Sequence, residues 1–264
     1  MPQLLDGKTA LVLGVANRWS LAYAISQAFT REGAKLILTY QGDRQKQTVE
    51  ELGAELKAHS VLPCDVSQDS DLDRLTRTLT GENTVLNAVV HSIAFANRED
   101  LDHPFVDTSR AGFALAQDVS AYSLVAAVRA TRSLMAPPEK GGASLITLTY
   151  LGSTRVVQNY NVMGVAKAAL EASVRYLASD LGPSNIRVNA ISAGPVKTAS
   201  ARGIRNFSKM LDEVPQISPL RRKTDPNEVA DTAVFLASDL GRGVTGNVIY
   251  VDAGFQIMAL AHAQ

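Results

Sequence analysis

The stretch Thr9–Ala22, TALVLGVANRWSLA, indicates the fold class of the chain. Its first five residues form a short apolar run typical of a buried strand, and Gly14 ends that run. Ser20 belongs to the residue types that cap helices, and the helical pattern that begins there continues to Arg31. A strand, a tight turn and a helix in this order predict the first half of a βα unit.

The same alternation of strand and helix extends over the rest of the chain. Six further strands are predicted, at Lys35–Tyr40, Ser60–Cys64, Val85–Ser92, Ala143–Tyr150, Ile186–Ser192 and Asn247–Asp252. Further helices are predicted at Asp43–Ala58, Gln68–Thr80, Thr108–Met135 with a break near Asp118–Ser120, Asn161–Leu181 and Asp225–Ser238. Strands separated by helices favour one parallel sheet that is covered on both faces. We therefore predict an α/β protein with a single domain over residues 1–264, a doubly wound Rossmann-like fold with seven parallel strands.

Composition and charge narrow the classes of function. The 264 residues carry 26 Lys and Arg against 26 Asp and Glu, which disfavours a charge-driven role on nucleic acid or on a membrane surface. The single cysteine, Cys64, excludes an internal disulfide and is predicted to be a buried, inert thiol. The four histidines show no ligand spacing, so we expect no metal site and expect His91 in the core. The N-terminus lacks a secretory signal pattern and the uncharged run Gly141–Thr154 is too short to span a bilayer, so we expect a cytoplasmic protein.

Three strand ends carry residues that suit a dinucleotide. Gly14 lets backbone amides approach a pyrophosphate at the following helix N-terminus, although the other glycines of the usual fingerprint are absent. Gln41 can hydrogen-bond ribose hydroxyls without charge, whereas Arg44 or Lys46 could instead meet a ribose phosphate. Asp65 can accept a hydrogen bond from an exocyclic amine such as that of adenine. A plain turn, a solvated loop and a helix cap are the alternative interpretations of these three features.

The most informative pair is Tyr160 and Lys167, in the run YNVMGVAK. Seven residues are two helical turns, so the two side chains share a helix face about 10 Å apart along the axis. A lysine ammonium near a phenol is expected to favour the phenolate. Tyr150 ends a strand at the carboxyl edge where doubly wound sheets bind ligands. An amphipathic helix with a solvated lysine is the alternative, and the lack of a nucleophile elbow or paired carboxylates disfavours a hydrolase.

The bacterial type I enoyl-[acyl-carrier-protein] reductases, a divergent branch of the short-chain dehydrogenase/reductase superfamily, resemble this chain from about Leu5 to Met258. The matching residues are Gly14 with Ser20 and Ala22, Asp65 and Val66, the run His91–Ala96, Tyr150, Tyr160 with Lys167, and the run Asn189–Pro195. The main branch of the superfamily has a Tyr-x3-Lys pair, whereas position 164 here is Gly. That departure separates the chain from ordinary ketoreductases and alcohol dehydrogenases.

The resemblance implies a role for each matched position. Tyr150, Tyr160 and Lys167 are implied to be catalytic, with Tyr160 donating to the thioester oxygen and Lys167 binding the nicotinamide ribose. Ala96 and the two tyrosines are implied to contact the substrate, and residues 196–200 to close over the nicotinamide. The implied cofactor-binding residues are Gly14, Ser20, Leu21, Gln41, Asp65, Val66, Ile93, Lys167, Val196, Lys197, Thr198, Ala199 and Ser200.

The implied reaction is hydride transfer to C3 of a trans-2-enoyl thioester on acyl carrier protein, a reductive step of fatty-acid elongation. We expect NADH rather than NADPH as the cofactor because Gln41 is neutral and has no adjacent pair of basic residues. A 3-ketoacyl or other carbonyl reductase on the same fold is one alternative. A dinucleotide-binding protein without turnover is another, since fold does not fix function.

The irregular segment Thr198–Lys223 is the one long excursion of the chain, and we expect a substrate-binding lid there. Its basic residues are Arg202, Arg205, Lys209, Arg221, Arg222 and Lys223, against the acidic Asp212 and Glu213. We expect this surface to dock the acidic carrier protein, with a solvated basic face as the alternative. The resemblance also implies a homotetramer, and the apolar run Phe255–Leu260 is consistent with burial at a subunit contact.

Overall fold

Seven strands form one parallel sheet with helices on both faces, as predicted. The computed structural model describes residues 3–198 and 207–258. The strands are β1 Thr9–Leu13, β2 Lys35–Tyr40, β3 Ser60–Pro63, β4 Ala88–His91, β5 Ala143–Thr149, β6 Ile186–Ala193 and β7 Val248–Val251. The α-helices are α1 Leu21–Arg31, α2 Asp43–Glu55, α3 Asp69–Gly81, α4 Arg98–Asp102, α5 Arg110–Gln117, α6 Ser123–Thr131, α7 Asn161–Leu181, α8 Phe207–Ile217 and α9 Pro226–Ala237.

The strand order β3-β2-β1-β4-β5-β6-β7 produces a topological switch point between β1 and β4. From β1 the chain winds outward to β3 and then returns to β4 on the other side of β1. Connections of opposite direction leave a crevice beyond the carboxyl ends of these two strands, and ligands of doubly wound folds bind there. The turns that follow β1 and β4 are therefore the expected walls of a ligand site.

Alternating side chains of β1 divide the core into two layers. Val12 packs with α1, α2 and α9 on one face, while Leu11 and Leu13 pack with α3, α6 and α7 on the other. A strand buried on both faces reads as a continuous apolar run, which is why this segment could be identified from sequence. Cys64 is buried at the edge of the second layer, and burial raises the pKa of its thiol to about 12, in agreement with the prediction of an inert thiol.

Several predicted boundaries differ from the structure. β4 begins at Ala88 rather than Val85, because Leu86 pairs only as an isolated bridge with Met135. A π-helical turn over Asp118–Tyr122 separates α5 from α6, which confirms the predicted helix break. The description of Thr198–Lys223 as irregular is wrong for its described part. α8 forms there although it contains Pro215, because it buries an apolar face against the protein.

Among the described residues, the helical segment Arg110–Leu134 is the one stretch that is long and apolar enough to cross a membrane by length and composition. It has 25 residues, and its 18-residue window has a mean hydropathy of 1.3. Half of that window is buried inside the protein, where Leu124 and Val128 belong to the core. The prediction that no segment crosses a membrane was based on residues 141–154 alone. The apolar side chains of Arg110–Leu134 are explained by their packing in the protein core.

His91 lies in the core at the end of β4, as predicted. Its two ring nitrogens hydrogen-bond the hydroxyls of Thr147 at 3.0 Å and Ser123 at 2.8 Å, and the side chain is 1% exposed. Burial, with a smaller contribution from the Lys167 charge, lowers the pKa of His91 to about 3. The folded protein therefore holds a neutral imidazole over a pH range in which the unfolded chain binds a proton.

Replacing His91 by Asn is expected to flatten the pH dependence of stability. Because the pKa is depressed on folding, this histidine makes stability fall as pH drops from about 6.5 towards 3, by up to about 1.4 kcal/mol per pH unit. The His91→Asn variant loses this contribution, although its overall stability is lower. Urea midpoints measured between about pH 5 and 7.5 compare the two slopes, and equal slopes would contradict the assignment.

Candidate active site

A cavity of about 620 Å³ opens at the switch point, beyond the carboxyl ends of β1, β4, β5 and β6. The predicted site residues that line it are Gly14, Ser20, Leu21, Ile93, Ala96, Tyr150, Tyr160, Lys167, Val196 and Thr198. A second cavity of about 300 Å³ adjoins it, and the predicted residues there are Gly14, Gln41, Asp65, Val66 and Ile93. Because the two cavities share the walls at Gly14 and Ile93, they form one continuous groove with polar groups at both ends.

Gly14 brings the turns after β1 and β4 into contact. Its φ is +95°, and a Cβ at this position would lie 2.2 Å from the carbonyl oxygen of Ser92. Only glycine fits this backbone conformation and this close approach. The Ser20 hydroxyl accepts from the Tyr23 amide at 3.2 Å and so caps α1, whose first turn faces the groove. A narrow glycine turn against a helix N-terminus fits a pyrophosphate, although the other fingerprint glycines are missing.

The far end of the groove carries an oriented carboxylate. Asp65 accepts hydrogen bonds from the Ser67 amide at 3.0 Å, the Ser67 hydroxyl at 2.7 Å and the Gln41 side-chain amide at 3.2 Å. Partial burial raises the pKa of the Asp65 carboxyl, but these hydrogen bonds outweigh burial and hold the pKa below its usual range. Gln41 and Asp65 therefore act as one charged, pre-oriented acceptor unit, a combination that suits a ribose and an adenine amine.

Tyr150 and Tyr160 form the opposite end of the groove. Their rings pack edge to face with centroids 5.0 Å apart and an interplanar angle of 70°. The Tyr160 ring lies against Gly152, where a Cβ would come within 2.4 Å of the ring carbon Cδ1. Within residues 3–198 and 207–258 the Tyr160 hydroxyl has no hydrogen-bond partner, whereas the Tyr150 hydroxyl lies 3.7 Å from the sulfur of Met210 in α8. Tyr160 thus lines the cavity with a hydroxyl that has no partner among the described residues.

The expectation that Lys167 favours a Tyr160 phenolate is wrong. Burial, followed by the effects of Tyr150 and Glu171, raises the pKa of Tyr160 well above its ordinary value. Burial and the Asp252 carboxylate raise the pKa of Tyr150 to about 12. Desolvation disfavours an anion at this position more than a distant ammonium can favour it. Both phenols are therefore neutral hydrogen-bond donors at physiological pH.

Lys167 lies in α7, lines the same cavity as Tyr160, the residue that precedes this helix, and is not the solvated lysine of the alternative interpretation. The residue is 5% exposed, and its Nζ donates to the carbonyl oxygen of Leu148 at 2.8 Å. Burial lowers the pKa of Lys167 to about 8, against the opposing effect of Glu171. One of its three ammonium protons is occupied by Leu148, so the others can serve a ligand in the cavity.

Three predicted cofactor residues are not placed in this groove. Lys197 is exposed and lines neither cavity, whereas Pro195 before it is buried. Ala199 and Ser200 lie outside the described residues, as do Arg202 and Arg205 of the predicted docking surface and the last two residues of the run Phe255–Leu260.

Sequence reasoning missed several apolar or charged groups of the larger cavity. These are Arg98, Leu101, Met163 and Phe207, and Phe95 was included only as part of the matching run His91–Ala96. Met163 could have been found, because it follows Tyr160 by three residues and shares its helix face. Arg98, Leu101 and Phe207 belong to α4 and α8, which carry no strong sequence signal.

Three of the four described cations of the predicted lid have acidic partners, and the fourth, Arg221, donates to the backbone carbonyl of Gln216. Lys209 lies 4.0 Å from Glu213, Lys223 lies 3.0 Å from Asp212, and Arg222 pairs with Glu228. Pairs of this kind on the surface reduce the net field that reaches a partner protein. Any surplus positive charge for docking must therefore come mainly from the remaining basic residues of the segment.

Known proteins match this chain over almost its full length. A family model described as enoyl-(acyl carrier protein) reductase matches residues 14–256. The chain belongs to this family. A reductase from Bacillus cereus that is named for NADH is 54% identical over 258 residues, which are 97% of this chain and 99% of the relative. A reductase from Staphylococcus aureus that is named for NADPH is 47% identical over 254 residues, 95% of this chain and 97% of the relative.

The fold agrees with the family at the level of structure. The crystal structure of the Bacillus cereus reductase with NADP+ and an indole naphthyridinone superposes with a TM-score of 0.94 at 54% identity and covers 98% of this chain and all of that one. The reductase described here is therefore an oxidoreductase of fatty-acid biosynthesis with a Rossmann-like fold, and the alternative of a non-catalytic dinucleotide-binding protein is disfavoured.

Proposed function

We propose that this reductase transfers hydride from NADH to C3 of a trans-2-enoyl thioester carried by acyl carrier protein. The observation that carries the proposal is the Tyr160 hydroxyl, which is held at the wall of a groove that continues to Asp65 and Gln41. A hydrogen-bond donor at one end of the groove and the polar pair Gln41 and Asp65 at the other are what a nicotinamide-dependent reduction requires.

The residues of the groove fit the cofactor at each position. Gly14 and the first turn of α1 would hold the pyrophosphate, and Asp65 with Gln41 would hold the adenosine. Lys167 would donate to the nicotinamide ribose, and Val196 and Thr198, which line the larger cavity, would lie over the nicotinamide. When bound, NADH supplies the hydride.

Tyr160 would stabilise the charge that develops on the thioester oxygen. Because burial keeps its phenol protonated, the hydroxyl can donate a hydrogen bond without a prior proton transfer. Tyr150 would shape the pocket through the edge-to-face contact, and Ala96 would leave room for the acyl chain. A donor aimed at the developing enolate oxygen stabilises the transition state more than the ground state, which is how it accelerates the reaction.

A direct assay separates the enoyl reductase from a carbonyl reductase on the same fold. Purified protein is mixed with NADH and either a crotonyl or an acetoacetyl thioester of coenzyme A, and loss of NADH absorbance is followed. We expect oxidation of NADH with the crotonyl thioester only. Turnover of the acetoacetyl thioester would indicate a 3-ketoacyl reductase, and turnover of neither would contradict the proposal.

NADH is expected to give a higher kcat/KM than NADPH. Gln41 offers a neutral side chain already engaged with the Asp65 carboxylate, and a 2′-phosphate near that carboxylate would be repelled. Arg44 lines the larger cavity and is the cation that could reverse this preference. Comparison of the two cofactors in the wild type and in Arg44→Ala measures both effects. A clear NADPH advantage that disappears in Arg44→Ala would contradict the proposed preference.

Docking of the carrier protein is proposed for the basic segment that includes Arg202 and Arg205. The double variant Arg202→Glu/Arg205→Glu is expected to raise KM for carrier-bound substrate several-fold at low salt, and to spare a cysteamine thioester. Lys140→Glu, which changes an exposed charge shortly before the beginning of β5, is the matched control. Equal loss on both substrates would show that the charges support the lid instead.

We further propose that the protein is a cytoplasmic homotetramer.

A further inference from the structure

Glu171 is a buried carboxylate that the proposed reaction does not use. It lies in α7 one helical turn after Lys167, and it is 6% exposed. Its Oε1 accepts a hydrogen bond from the Thr149 hydroxyl at 2.7 Å. A buried carboxylate is unfavourable unless hydrogen bonds or an opposite charge compensate its desolvation. The burial of this carboxylate one helical turn from Lys167 therefore indicates that it has a role in the site.

Two side-chain hydrogen bonds, one helical turn apart, join α7 to the end of β5. The Lys167 ammonium donates to the carbonyl oxygen of Leu148, and the hydroxyl of the next residue, Thr149, donates to Glu171. Leu148 and Thr149 both line the larger cavity and directly precede Tyr150. The carboxylate is thus anchored in the same layer of contacts that orients Lys167.

The surroundings of Lys167 contain few groups that carry charge near neutral pH. Tyr150 and Tyr160 have raised pKa values, and His91, which senses the lysine charge from β4, has a lowered one, so all three are neutral. Asp252 acts on Tyr150 from beyond β7, and its two oxygens accept from the Gly254 and Gln256 amides. Within the described parts of the chain, Glu171 is the group whose charge opposes the loss of the lysine proton.

We propose that Glu171 is a positioning residue, whose carboxylate, anchored by Thr149, keeps the buried Lys167 positively charged so that the ammonium can donate to the cofactor ribose. This inference rests on the proposed role of Lys167. Without the carboxylate, burial acts on the lysine unopposed, and the amine loses its proton at a lower pH. Glu171 acts through Lys167 and needs no contact with the cofactor itself.

The test is the pH dependence of NADH binding, measured by titration calorimetry between about pH 6 and 9.5. In the wild type, affinity is expected to fall as pH rises through about 8, where Lys167 loses its proton. In Glu171→Gln, which retains an acceptor for Thr149, the midpoint of this fall is expected to move down by about one pH unit. Affinity at about pH 6 is expected to stay within about twofold of the wild type, because the lysine is protonated in both proteins.

Three variants complete the test. Glu171→Asp retains the charge and is expected to restore the wild-type midpoint. Glu139→Gln removes an exposed carboxylate that precedes β5, at the amino end of the strand, and is expected to leave the midpoint unchanged. Lys167→Arg stays charged at high pH and is expected to abolish the alkaline fall, a result that does not depend on the folding of Glu171→Gln.

Two outcomes would overturn the inference. One is an equal midpoint in Glu171→Gln and the wild type, or an equal loss of affinity at every pH, because either shows a purely structural role. The other is an alkaline fall that persists in Lys167→Arg. If Lys167 does not bind the cofactor at all, the result is distinguishable, because Lys167→Ala would then bind NADH as tightly as the wild type.

Discussion

Replacing Tyr160 by Phe is expected to lower kcat on the crotonyl thioester by on the order of 10²-fold, with little change in the Kd for NADH. The variant removes only the hydroxyl, and the ring keeps its contacts with Gly152 and Tyr150. That hydroxyl has no partner among the described residues and is kept protonated by burial, so its hydrogen bond is available when charge develops on the substrate. Steady-state kinetics and calorimetry on the same preparation separate the two effects.

Tyr150→Phe is the matched control for this prediction. It makes the same chemical change in the neighbouring ring, whose hydroxyl contacts the Met210 sulfur rather than open cavity. We expect a loss of less than about tenfold in kcat, since no donor to the thioester is removed. A larger loss in Tyr150→Phe than in Tyr160→Phe would transfer the donor role to Tyr150. Equal Kd and kcat effects in Tyr160→Phe would show that the phenol supports cofactor binding instead.

Replacing Lys167 by Ala is expected to raise the Kd for NADH by about 10- to 100-fold, because a hydrogen bond from a charged donor in a buried site is lost. The ammonium is buried and held by Leu148, so it is pre-oriented towards the cavity and loses little freedom on binding. Quenching of the single tryptophan, Trp19, offers a convenient readout, because it lies in the exposed turn between β1 and α1.

Lys167→Met distinguishes loss of charge from loss of packing. Methionine fills a volume close to that of the lysine stem without a charge, so the cavity created by alanine is avoided. We expect both variants to bind NADH weakly. Weak binding in the alanine variant alone would indicate a packing effect, and an unchanged Kd in both would refute the assigned role of Lys167.

Local sequence patterns determined the sheet, the caps and the paired positions on α7. Continuous apolar runs marked inner strands such as β1, which is buried on both faces, whereas the edge strands β3 and β7 are only partly buried. Ser20 was predicted as a helix cap from its residue type, and its side chain caps α1. The predicted helix Asp225–Ser238 begins at the residue whose side chain caps α9. The common face of Tyr160 and Lys167 followed from helical periodicity, which depends only on sequence spacing.

Only the tertiary structure decided the protonation states of the side chains in the site and which distant residues contact one another there. The approach of Gly14 to Ser92 joins two turns that are far apart in the chain, so the reason for this glycine was not visible locally. The neutral state of Tyr160 and the lowered pKa of Lys167 both arise from desolvation, which depends on all the groups packed around a side chain. Glu171 appeared in the sequence as one more acidic residue on a helix. Its role emerged only when the fold buried it beside Thr149, because burial and electrostatic interaction depend on distances in space that sequence separation does not specify.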